Sequence, residues 1–88
     1  MTDVKNLRNI GKVTAAWLKD VGIFTEQDLI EMGVIKAYLR VKSAYPERVS
    51  LNLLYSLEGA LLGIPWNQLP ESMRADLLSR LAAASSDD

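Results

Sequence analysis

Six residues that end or bend helices, Gly11, Gly22, Gly33, Pro46, Gly63 and Pro70, recur along this chain and cut it into short blocks. None of the blocks sustains the alternation of period two that a strand requires, whereas most repeat their apolar residues at helical spacing. The pattern predicts an all-α fold: a single small domain of about five short helices with a helix-hairpin-helix-like N-terminal unit. The domain is expected over residues 1–84, with 85–88, "SSDD", as a flexible solvated tail.

Between Lys12 and Val21, the residues Val13, Trp17, Leu18 and Val21 share one arc at about 100° per residue, with Lys12 and Lys19 together on the other side. Gly22 is placed to cap this helix in left-handed geometry. Thr25 and Asp28 have the spacing of a capping box, which predicts a helix over Glu26 to Met32 that stops at Gly33. Val34, Ala37, Tyr38, Val41, Ala44 and Tyr45 form the stripe of a third helix, which Pro46 closes. Ser50 is positioned to cap "LNLLYSLEGALLG", a block polar only along Asn52, Ser56 and Gly59 and therefore expected to be the central helix. After a tight connection anchored by Trp66, Glu71 to Ala83 repeats the amphipathic pattern through Met73, Leu77, Leu78 and Leu81.

Two charges interrupt these stripes. Glu58 falls among Leu51, Leu54, Leu61 and Leu62, and Arg74 falls between Leu78 and Leu81. A buried carboxylate needs a charge-assisted partner, and Arg74 is the leading candidate, so Glu58 and Arg74 are expected to form a structural buried charge pair.

A chain of 88 residues makes one domain that buries roughly 60–65% of its unfolded surface. The absence of cysteine and histidine removes disulfides, thiolate chemistry, the usual zinc sites and every Ser-His or Cys-His nucleophile. No enzymatic activity, cofactor, metal or small-molecule substrate is expected. "MTDVKNLRNIG" lacks an apolar leader core, and no apolar run approaches the ~20 residues that span a bilayer, so the reading is a cytoplasmic protein without membrane contact. Residues 1–48 carry eight basic and six acidic side chains, and residues 49–88 two basic and five acidic. Neither half is a polybasic arm, which argues against tight sequence-independent DNA binding.

The turn "NIG", Asn9-Ile10-Gly11, has the form of a helix-hairpin-helix turn, with Ile10 turned into the core and Lys12 opening the next helix. Unpaired amides, a helix dipole and a glycine suit phosphate. The candidate DNA or phosphate site therefore comprises Arg8, Asn9, Ile10, Gly11, Lys12 and Lys19, with Lys5 as a further cation. The alternative is that the hairpin is a packing unit in a module that works through protein contacts.

"NIGKVTAAWLKDVGIFTEQDLIEMGVIKAYLRVK" followed by "SLNLLYSLEGALLGIPWNQLP" resembles the C-terminal domain of the TfoX (Sxy) family of bacterial regulators of natural transformation competence, over roughly Leu7 to Leu81. The resemblance implies an all-helical fold and a non-enzymatic regulatory role, associated in the family with competence-gene promoters and the cyclic-AMP receptor protein. Full-length regulators also carry an N-terminal domain, so this chain is expected to be a standalone version or an excised domain.

The remaining constellations have structural readings. Trp17 and Tyr38 lie on apolar stripes and are expected in the core rather than as stacking platforms for nucleic acid. Asp20, Glu26, Asp28 and Glu31 match no calcium loop and are expected as caps and solvated charge. Lys36, Arg40 and Lys42 are read as a basic helix surface. The expected function is an interaction module whose partner is a transcription factor or a second copy of itself, with weak DNA binding through the hairpin as the alternative.

Overall fold

The computed structural model describes residues 2–85, and in it the helices end where the glycines and prolines stand. Among the described residues there are five α-helices: α1 (Lys12–Asp20), α2 (Glu26–Met32), α3 (Val34–Ala44), α4 (Leu51–Leu62) and α5 (Glu71–Ser85). Two 3-10 turns, Val4–Asn6 and Trp66–Gln68, precede α1 and α5. Extended structure among these residues is limited to an isolated antiparallel bridge between Asp3 and Thr25. It ties the start of the chain to the α1–α2 loop. No helix among them is long and apolar enough to cross a membrane.

Each stop has a local cause. Gly22, at φ 89°, donates to the Lys19 carbonyl at 3.1 Å while Ile23 donates to the Leu18 carbonyl at 2.9 Å, the double closure of a Schellman motif. Ile23 and Leu18 are both fully buried, which adds the apolar contact that accompanies such caps. The capping box of α2 is complete: Thr25 Oγ1 accepts from the Asp28 amide, and Asp28 Oδ2 accepts from the Thr25 amide, each at 3.1 Å. Gly33 has the expected positive φ, but its ψ of 149° lies outside the left-handed helical well. It therefore acts as a one-residue hinge that ends α2 and begins α3 in a backbone region open essentially to glycine alone.

The core is one continuous cluster built on Leu18, Ile23, Leu29, Val41, Leu54 and Leu57. Trp17 packs on Tyr45 with ring centroids 5.5 Å apart, joining α1 to the end of α3. The Tyr45 hydroxyl donates to Asp20, and this bond raises the Tyr45 pKa. Lys42 leaves the basic surface expected for it. Its ammonium donates to the carbonyls of Pro46 and Val49, both at 2.7 Å, and closes the α3–α4 loop.

Four expectations need correction. The covered face of α1 is centred on Ala15 and Leu18, which turns Val13 out to 58% exposure. Ser50 stands at the start of α4 but makes no side-chain capping bond. In α5 the one fully buried side chain is Leu77, while Met73 and Leu78 face outward, because only a narrow line of this helix meets α3. Ser85, placed in the tail by its sequence, is the last residue of α5. Residues 86–88 lie outside the described residues.

Candidate functional site at the first hairpin

The hairpin is wound tightly before α1 begins. The Leu7 amide donates to the Val4 carbonyl at 3.1 Å, and the Ile10 amide donates to the Leu7 carbonyl at 3.2 Å. Between them Asn9 has φ 72°, the one positive φ outside glycine among the described residues. Asparagine tolerates that region better than most side chains. Ile10 is turned into the core, as its place in the turn predicts.

The amide group of Asn9 crosses to α4. Its Nδ2 donates to the Ser56 carbonyl at 3.3 Å and to the Ile64 carbonyl at 3.0 Å, and its Oδ1 accepts from the Trp66 amide at 3.1 Å. Gly59 lies beneath this clamp. A Cβ there would stand 2.6 Å from both Asn9 Nδ2 and the Ile64 carbonyl oxygen, so the close approach requires a residue without one. Trp66 is thus anchored by its backbone, and the residue remains 40% exposed.

Of the six residues proposed for phosphate, only Arg8, Gly11 and Lys12 present themselves to solvent at the turn. Asn9 and Ile10 are committed to the fold. Lys19 is half-buried in an ion pair with Asp3 at 3.2 Å, so its charge is already matched. Asp3 is held below the ordinary carboxylate pKa by the Lys5 amide first, with the Lys19 ammonium adding to it. What stays open is the start of α1. No side chain caps it, and a side chain at Gly11 would meet nothing within 4 Å. The first amides of this helix are free for an anion, in contrast to α2, where the Glu26 amide donates to the Thr2 carbonyl and the Asp28 amide to Thr25 Oγ1.

The buried Glu58–Arg74 pair does not form. Glu58 is half-buried and Arg74 exposed, and neither makes an ion pair among the described residues, where the pairs are Lys19–Asp3 and Arg80–Asp76. The reason is rotational. The covered arc of α4 runs through Leu53, Leu54, Leu57 and Ala60, which leaves Glu58 on its edge beside the outward-facing Leu51 and Leu62.

No group of three or more acidic side chains converges among the described residues. A pocket of about 390 Å³ lies between the α2–α3 junction and α5, lined by Met32, Ile35, Lys36, Leu39, Arg80 and Ala84. The clamp at Asn9 escaped the sequence reading, although a glycine inside an otherwise apolar helical block, Gly59, marks a close backbone approach.

Two solved structures share this fold across nearly their whole length. An uncharacterised protein from Listeria monocytogenes, in a triclinic crystal form, matches with TM-score 0.83 and 33% identity, covering 96% of this chain and 94% of that one. A protein of unknown function from Listeria monocytogenes, in a tetragonal form, matches with TM-score 0.78 and 35% identity, covering 91% of this chain and 96% of that one. No curated protein matches the chain. The model of the TfoX C-terminal domain matches residues 1–81, and the chain belongs to that family.

Proposed function

We propose that the chain is a non-enzymatic regulatory module of the cytoplasm that acts mainly through protein contacts, in the manner its family suggests for control of transformation competence. The observation that supports this most is the apolar surface left on the outside of an otherwise well-packed domain: Val13, Phe24 and Ile30 are the most exposed, and Leu51, Leu62 and Trp66 add to it on and beside α4. The hairpin adds a second argument. With Lys19 matched by Asp3, the turn keeps Arg8 and Lys12, with Lys5 nearby in sequence, as exposed cations. That is too few for firm hold on a phosphate backbone.

Weak DNA binding is the second reading, favoured by the uncapped start of α1 and the open space over Gly11. A titration of labelled duplex DNA at two salt concentrations separates the two. Protein contacts as the main activity predict affinity weaker than micromolar with a log–log salt slope of about two or less, whereas submicromolar binding with a slope of about four or more overturns that reading. Lys12→Glu should remove whatever DNA binding is present and leave the melting temperature unchanged, because Lys12 is exposed.

A further inference from the structure

The helix at the centre of the core leaves one face partly open, with Tyr55 packed in part against the core. At about 100° per residue, Leu51, Tyr55, Glu58 and Leu62 fall in one narrow stripe of α4. Leu51 is 39% and Leu62 47% exposed, with Tyr55 and Glu58 half-buried between them. Neither the Tyr55 hydroxyl nor the Glu58 carboxylate has a hydrogen-bond or ion-pair partner among the described residues. One is a donor and the other an acceptor.

The stripe is symmetric. Its members are spaced four, three and four residues apart, the same from either end. Two copies of α4 laid antiparallel, about a two-fold axis between Ser56 and Leu57, therefore set Leu51 against the partner's Leu62. They also set Tyr55 against the partner's Glu58, and each contact occurs twice. A phenol then donates to a carboxylate on both sides of the axis, inside a frame of leucines. A parallel pairing would oppose the two Glu58 carboxylates.

We propose that this stripe is a self-association surface through which two copies pair antiparallel, with reciprocal Tyr55–Glu58 hydrogen bonds. The proposal rests on the protein-contact reading above and names the partner as a second copy of the chain. One helix face is a small interface, of the size that supports reversible pairing rather than an obligate dimer.

Sedimentation equilibrium of the full chain, from ~10 μM to ~1 mM as suits a small reversible interface, should show a monomer–dimer equilibrium. Leu62→Arg should weaken it at least tenfold without moving the melting temperature. Because the chain has no cysteine, register is tested by oxidation: a mixture of Leu51→Cys and Leu62→Cys variants should give a disulfide-linked heterodimer, while neither variant alone should cross-link. Monomer throughout the range, a dimer indifferent to Leu62→Arg, or cross-linking of Leu51→Cys with itself overturns the proposal. A dimer that survives Leu62→Arg defeats the α4 stripe and leaves protein contacts standing. A steep salt slope on DNA beside a Leu62-dependent dimer defeats protein contacts as the main activity and leaves the stripe standing.

Discussion

The two faces of α4 exchange the roles their residues suggest. The seam of Asn52, Ser56 and Gly59 reads as the side that meets water, yet beyond the exposed Asn52, Gly59 is buried and Ser56 half-buried beneath Asn9 and the Trp66 turn. The stripe of Leu51, Tyr55, Glu58 and Leu62 reads as core, yet its leucines face outward. The comparison teaches that a helix backbone is itself a binding surface once side chains are small. Carbonyls at Ser56 and Ile64 accept from one asparagine because Gly59 lets the chains approach, and hydrogen bonding then decides the packing in place of apolar area.

The contrast is open to direct attack. Gly59→Ala should have the largest effect, about 2–3 kcal/mol of lost stability in urea unfolding, since the added methyl meets the Ile64 carbonyl, a backbone atom that cannot turn aside. Loss below 0.5 kcal/mol would mean that the seam is not a tight contact. Asn9→Ala should cost about 2 kcal/mol and Asn9→Gly about 1 kcal/mol, because both remove the clamp but glycine keeps φ 72° without strain. If alanine and glycine cost the same, the left-handed turn contributes nothing of its own.

On the neighbouring stripe, Leu51→Gln and Leu62→Gln should each change stability by no more than about 0.5 kcal/mol, as expected of exposed positions. The slightest effect concerns pH. The Asp3 pKa is lowered in the fold, so its contacts stabilise above the ordinary carboxylate range and are lost as pH falls through the folded value. The Asn9 clamp has no titrating group. Acidification followed by amide NMR should therefore move Lys5, whose amide Asp3 holds, before it moves Trp66, whose amide Asn9 holds.

Much of the fold was legible because it depends on neighbours in sequence. The Schellman closure at Gly22 involves residues within five positions, and the capping box at Thr25 involves three. Such contacts need no knowledge of the rest of the chain. The candidate site was legible only in part. Gly11 and Lys12 stand at the open helix start their spacing implied, but Lys19 is matched by Asp3, sixteen residues away.

By itself the sequence determined the class, most of the helix limits and the burial of Ile10, since glycine, proline and apolar periodicity act locally. Tertiary structure alone decided which arc of α4 is covered, that Glu58 stays at its edge without Arg74, and that Asn9 reaches across 55 residues to Ile64. The physical reason is that a helix with apolar residues around most of its circumference has several nearly equivalent ways to turn. A single polar clamp with no room beneath it selects one.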